Sequence, residues 1–203
     1  KSRSGDPLKF IDLINEAVQR ADVAVADKNP ELDAERRRDV ARMIGIGAVK
    51  YADLSTDRIR DYVFDWERML SFDGNTAPYL QYAHARICSI FRRAGRDRST
   101  VRGIAPTITE PQEKTLALAL LGFGAVVTDT LDKYSPHRLC TYLYDVATTF
   151  TSFYEHCPVL KAEDEVVRTS RLTLCDLTAR TLSTGLGLLG GGVAVRTVNS
   201  KGE

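Results

Sequence analysis

Neither sign of charge dominates this sequence. Its 28 lysines and arginines stand against 27 aspartates and glutamates, a formal net charge of +1 over 203 residues. That balance excludes bulk attraction to a polyanion, so any nucleic-acid site has to be a local patch. Histidines are few: His84, His137 and His156 have no HxxxH or HExxH partners, which removes the zinc-hydrolase signatures and gives each a structural reading. The four cysteines, Cys88, Cys140, Cys157 and Cys175, match no zinc or redox spacing. Each lies in an apolar helical context, as buried thiols of a reducing cytosol do. No uninterrupted apolar run approaches ~18 residues, so no bilayer-spanning segment is expected. No signal peptide is visible, although the chain starts at Lys1 without an initiator methionine. The glycine-rich stretches IGIG and GLGLLGGGV lack the strand and following lysine of a phosphate loop. No catalytic set and no metal site remain.

What is present reads almost wholly as helix. Residues 10–29 place Ile11, Ile14, Val18 and Ala21 at spacings of three and four, an amphipathic stripe. Pro30 stops that helix. The next, over 33–54, carries Gly45 and Gly47, each costing roughly 1 kcal/mol against alanine in a helix interior, which points to a close helix contact or a bend. DYVFD, 61–65, alternates and is bulky, a short strand or extended turn. A helix over 74–95 follows, then an arginine-rich loop. Thr109 with Gln112 predicts a capping box for a helix over 110–133. Ser135 and Pro136 predict the start of another, running to Cys157. KAEDE, 161–165, suits the positive end of a last helix that reaches Gly185. The tail beyond Gly190 is expected to be loosely ordered. Long helices joined by short turns make an all-α bundle.

The 74–95 helix carries the sharpest signal. At 100° per residue, Tyr79, Tyr82, Arg86, Ser89 and Arg93 fall within about 80° of one another. Leu80, Ala83, Ile87, Ile90, Phe91 and Ala94 form a separate apolar stripe, so the core can be filled without the tyrosines. Rings and guanidinium groups on one face suit base stacking and phosphate contact. The alternative is a pair of tyrosines half-buried at a helix boundary. The following loop adds Arg92, Arg93, Arg96, Arg98 and Arg102 against one acid, Asp97, the local basic patch of an RNA footprint or a solvated charge run. In 136–157, Leu139, Leu143, Val146, Phe150 and Phe153 form the core stripe, with Tyr154 at its edge as a third stacking candidate.

Three segments carry a family likeness: GIGAVKYADLS (45–55), DYVFDWERMLSFDGNTAPYLQYAHARICSI (61–90) and RLTLCDLTARTLSTGLGLLG (171–190). Together they resemble the C-terminal half of arginyl-tRNA synthetases, over roughly residues 1–190. The resemblance implies an all-α anticodon-binding bundle preceded by the helical end of a class I catalytic domain. Residues 1–30 would close the catalytic domain, 31–60 connect, 61–190 bind the anticodon, and 191–203 form the tail. The family's PYLQYAHAR segment falls on Pro78 to Arg86, which implies that Tyr79 and Tyr82 face the anticodon loop. Its FYE segment falls on Phe153 to Glu155, which adds Tyr154. Arg86, Arg93 and the loop arginines of 92–102, Arg92 and Arg96 foremost, are the expected phosphate contacts.

KSRSGD at the start resembles the trailing part of the family's Lys-Met-Ser-Lys-Ser loop, which implies a catalytic role for Lys1 and Arg3 in stabilising charge at the α-phosphate of ATP. The His-Ile-Gly-His motif and an alternating strand–helix half are absent. ATP with Mg and arginine are therefore expected in the full-length parent only, with no cofactor in these residues. The family's ending, similar to IxxPERM, is replaced by GGVAVRTVNSKGE, which suggests a fragment or an extension. The implied function is anticodon-loop binding within an arginine–tRNA ligase, with arginine tRNA as partner, a monomeric state, a cytoplasmic location and no membrane. The alternatives are a free-standing, non-catalytic tRNA-binding module and a helical interaction domain without RNA.

Overall fold

A computed structural model describes residues 9–61 and 64–193. The described residues form α1 (Phe10–Lys28), α2 (Ala34–Leu54), α3 (Trp66–Met69), α4 (Ala77–Arg93), α5 (Pro111–Leu121), α6 (Phe123–Asp132), α7 (Pro136–His156) and α8 (Glu165–Leu188), with a 3-10 turn at Arg98–Val101. No strand occurs among them, as the all-α expectation requires. Of the DYVFD stretch, Asp61, Phe64 and Asp65 are irregular, and the other two residues lie outside the described ones.

Local chemistry sets the helix ends. Asp33 accepts from the Arg36 N–H at 2.9 Å, Thr76 from the Tyr79 N–H at 3.3 Å, and Asp164 from the Val166 N–H at 2.6 Å. Each satisfies a donor that the first helical turn leaves open. At α5 the expected Thr109–Gln112 box does not form. Glu113 takes the role instead, accepting from the backbone N–H groups of Thr109 and Glu110 at 2.8 and 3.1 Å. Ser135 precedes α7 but turns its hydroxyl to the Lys133 carbonyl at 2.9 Å, so Pro136 alone marks that start. The final helix runs past Gly185 and stops where Gly190 takes a φ of +71°. Gly190 and Gly191 return N–H bonds to the Gly187 and Leu186 carbonyls at 3.0 and 2.8 Å. This paired closure needs a left-handed residue, which glycine supplies without a Cβ clash.

The main core lies where α4, α7 and α8 meet, with α5 and α6 packed on α7. Leu139, Leu143, Val146, Phe150 and Phe153 are all buried, as their spacing predicts. Each such side chain stabilises the fold by ~1.5–3 kcal/mol relative to exposure. Against α7, Gly185 of α8 leaves no room for a side chain, since an added Cβ would sit 2.4 Å from Leu143 Cδ2.

A smaller core joins α1 to α2. Here the predicted stripe is partly displaced: its Ala21 is buried, but with Ala17 and Val25, while Ile11 is exposed and Ile14 and Val18 are half-buried. Gly45 explains the shift. A Cβ there would lie 2.7 Å from the Val18 nitrogen and 2.8 Å from the Ala17 carbonyl. The backbones approach so closely that alanines, not isoleucines, fit the seam. The displaced side chains line a groove of about 830 Å³ between the two helices.

By length and mean hydropathy alone the segment Pro111–Asp132 would be apolar enough to cross a membrane, although polar residues interrupt it. It folds as two helices rather than the single one read from 110–133, broken at Gly122, and Leu118, Leu121 and Leu131 remain exposed.

Candidate nucleic-acid interface

α4 is buried on most of its circumference because α2, α7 and α8 surround it. Gln81, His84, Ala85 and Cys88 join the expected apolar stripe inside. The polar members are held there: Gln81 donates to the Gly192 carbonyl at 2.8 Å, and His84 Nδ1 faces Cys88 Sγ at 3.9 Å. What stays at the surface is the face the sequence wheel isolates. Tyr79, Tyr82, Arg86 and Ser89 are half-buried and Arg93 is exposed.

Each tyrosine has an aromatic neighbour. Tyr79 meets Tyr144 of α7 at 5.6 Å between centroids, tilted by 55°. Tyr82 meets Phe72, in the approach to α4, edge to face at 6.4 Å. Tyr154 stacks on Phe150 at 6.1 Å, with 28° between planes. The Arg86 guanidinium lies over the Tyr154 ring, 4.6 Å from its centroid. Pairs of this kind fix ring orientation and contribute ~0.5–1.5 kcal/mol beyond area burial. Tyr79 pairs with Tyr144, and Arg86 with Tyr154, so α4 and α7 run in the same sense along this strip. Tyr82 leans to the other side, where Lys28 Nζ sits over Phe72 at 5.0 Å. The surface is therefore a continuation of both cores rather than a lone helix face.

The arginine-rich loop divides. Arg96 is tied to Glu165, in a close ion pair, and to Thr169 at 3.1 Å. Arg98 donates to Asp176, a buried carboxylate, at 2.7 Å. Arg102 lies near Asp97, whose carboxyl is held below its usual range first by hydrogen bonds from Ser99 and then by Arg102 and Arg98. Arg93 makes no ion pair among the described residues. Arg92 is exposed and approaches the Cys88 thiol electrostatically. The loop is thus partly internal bracing, which its composition does not reveal. Lys1 and Arg3 lie outside the described residues.

Sequence reasoning missed Tyr144 and Phe72. Phe72 lies in the approach to α4 and Tyr144 on α7, and only the packing pairs them with Tyr82 and Tyr79. It also missed Glu113 of α5 and Arg171 of α8, joined at 2.7 Å inside the bundle. Burial acts to raise the Glu113 carboxyl. The Thr109 and Glu110 amides and the Arg171 guanidinium outweigh it, so the net shift is downward. All four cysteines are free and buried. Burial pushes each thiol up, Cys140 to about 12. No group of three or more His, Cys, Asp or Glu residues among the described ones could hold a metal ion.

A helical bundle presenting paired rings and guanidinium groups along one strip has the physical character of a surface for unpaired bases. The model of the DALR anticodon binding domain matches residues 80–194, more than half of the chain, and the chain belongs to that family. A second model, the catalytic domain of class I (R) tRNA synthetases, matches residues 1–66. Among curated relatives, the arginine–tRNA ligase of Edwardsiella ictaluri is 53% identical over 94% of this chain and 33% of its own length. That of Thermobifida fusca is 56% identical, with the same coverage. Of solved structures, the Thermus thermophilus arginyl-tRNA synthetase superposes with a TM-score of 0.83 at 35% identity, covering 94% of this chain and 33% of that one. The Plasmodium falciparum enzyme gives 0.82 at 32% identity, over 93% and 34%. The chain thus spans about a third of the length of the relatives it matches.

Proposed function

We propose that this chain serves as the tRNA-recognising portion of an arginine–tRNA ligase, its bundle holding the anticodon loop of arginine tRNA. The observation that carries this reading is the order of the two matches on one chain: the end of a class I catalytic domain over residues 1–66, then the anticodon-binding domain over 80–194. Stacking on Tyr79, Tyr82 and Tyr154 would contribute ~1–3 kcal/mol per base. Arg93, and Arg92 beside it, would meet phosphates in a salt-dependent way. Arg96 already donates to Glu165 and Thr169, which makes it the weakest of the proposed phosphate contacts.

The same reading places the catalytic-domain end at 1–30, connecting helices at 31–60 and the anticodon domain at 61–190. Arginine and ATP would be substrates of the whole ligase, with Mg accompanying the ATP. Lys1 and Arg3 are the residues here that would serve that chemistry. The four reduced thiols support a cytoplasmic setting, and a monomer is the proposed state. The test is a filter-binding measurement with arginine tRNA and a non-cognate tRNA at several salt concentrations. Cognate-selective, salt-sensitive binding is expected. Equal affinity for both RNAs, or none for either, would remove the proposal.

A further inference from the structure

From Thr115 to Thr128 the sequence holds no charged residue. The inner side of this stretch is occupied: Leu116 is buried, and Leu120, Phe123 and Val127 pack on the main core. Its outer side is bare. Lys114, Leu118, Leu121, Ala125, Thr128 and Asp132 recur at alternating spacings of four and three, and all six are exposed, Leu121 at 80%. Gly122 breaks the hydrogen-bond pattern but keeps near-helical angles, φ −70° and ψ −13°, so the stripe continues from α5 into α6. That alternation is the seam of a two-stranded coiled coil. We infer that the stripe is the docking face for a second copy of this chain, lying antiparallel with Phe123 at the twofold axis. The pairing is reversible, and the monomer proposed above is its dilute state.

The order of the residues selects that occupant. In a twofold pair, residue i faces residue j of the partner and j faces i. Reversing the stripe about Phe123 sets Leu121 against the partner's Ala125 and Leu118 against the partner's Thr128. Each layer joins a large side chain to a small one, which lets the two faces interdigitate. Beside the seam, Leu131, also exposed, falls opposite the partner's Thr115. The threonines bring no unmet hydroxyl with them, since Thr115 donates to the Pro111 carbonyl at 2.9 Å and Thr128 to the Gly124 carbonyl at 3.2 Å. The end charges are complementary as well. Lys114 stands in the first turn of α5 and Asp132 ends α6, each at a helix end whose dipole has its own sign. Neither makes an ion pair among the described residues. The antiparallel pair brings Lys114 to the partner's Asp132, and each charge to a helix end of opposite sign. A seam of 22 residues is about 33 Å long. That is the small end of specific interfaces, so the association is weak and depends on concentration.

The test is sedimentation equilibrium of the 203-residue chain over a range of concentrations. A monomer–dimer equilibrium with a dissociation constant between about 1 µM and 1 mM is expected. Leu121→Glu puts a charge into the seam at an exposed position and should leave a monomer throughout, with a parent-like Tm. Lys114→Asp and Asp132→Lys each set like charges opposite one another and should weaken the pair about three- to tenfold. Mixed in equal amounts, those two variants should associate as tightly as the parent, because only the mixed pair restores both contacts. The charge variants lie at the exposed ends of the stripe, so the test stands even where Leu121→Glu proves unstable. A parent that stays monomeric up to about 1 mM overturns the inference. So do single charge variants that pair at parent strength, or a mixture no tighter than its components, since either moves the contact elsewhere. A monomeric parent that floats with phosphatidylcholine vesicles, and loses them on Leu121→Glu, would make the stripe a lipid face instead and overturn the pairing. None of these readouts involves RNA, so their failure leaves the RNA-binding reading standing.

Discussion

Two sets of arginines in this molecule look alike in sequence and differ in what lies opposite them. Inside the bundle, Arg171 meets buried Glu113 and Arg98 meets buried Asp176, both at 2.7 Å. On the α4 face, Arg86 meets a tyrosine ring and Arg93 meets no carboxylate among the described residues. The first set neutralises charge inside the protein; the second leaves it available outside. A guanidinium becomes structural or functional according to whether another element supplies an acid, and no count of arginines along the chain records that.

The largest effect should come from breaking the inner set. Glu113→Ala strands Arg171 without its carboxylate, and loss of one partner of a buried pair costs about 3–5 kcal/mol. A melting experiment should show Tm lower by roughly 6–20 °C for a chain of this size, and a parent-like Tm would mean that Arg171 is not a bracing residue. The same pair carries a pH signature. Because the folded Glu113 carboxyl is depressed, its stabilisation is present above the usual carboxylate range and is lost as pH falls through the lower folded value. Parent and Glu113→Gln melting curves should therefore converge in acid and separate toward neutrality.

The outer set should respond in binding and not in stability. Tyr82→Ala is expected to weaken arginine-tRNA binding at least tenfold with Tm changed by only a few degrees. Equal binding by variant and parent would show that the Tyr82–Phe72 side of the strip is outside the footprint. Arg93→Gln should lower the slope of log affinity against log salt by about 0.9 for a double helix or 0.7 for a single strand, the share of one phosphate. The smallest effect sharpens the boundary between the sets. Arg96→Gln, which removes a half-exposed ion pair with Glu165, should shift stability by no more than ~1 kcal/mol and leave RNA affinity within about twofold. A large binding loss there would move Arg96 to the outer set.

Much of the architecture was legible because helical periodicity is local. The α7 stripe and the polar face of α4 follow from spacing alone, and Gly45 marked a close crossing before any partner helix was known. The errors have the opposite character. The α1 stripe was right at Ala21 and misplaced elsewhere because the Gly45 seam, not hydrophobicity, brings Ala17 inside in place of the isoleucines. The single helix read across 110–133 is two because Gly122 ends one and caps the next, with Phe123 meeting Tyr142 of α7 at 6.1 Å, tilted by 35°. At the candidate site, the three tyrosines and Arg86 could be placed on faces, but not paired. Tyr144, Phe72 and the Arg86–Tyr154 contact depend on which helix lies across the gap, and that is a property of tertiary packing.

The close of α8 carries a mechanical consequence. Lys50 of α2 donates to the Gly190 carbonyl at 2.8 Å, Gln81 of α4 donates to the Gly192 carbonyl at 2.8 Å, and Tyr51 of α2 donates to the Cys140 carbonyl of α7 at 2.9 Å. α2 belongs to the span matched by the catalytic-domain model and the other partners to the span matched by the anticodon model. Two of these bonds, from the adjacent residues Lys50 and Tyr51, cross between the two spans and brace the second half of α2 against the close of α8 and against α7. Any movement of α7 or of the α8 close must carry α2 with it or break these two bonds.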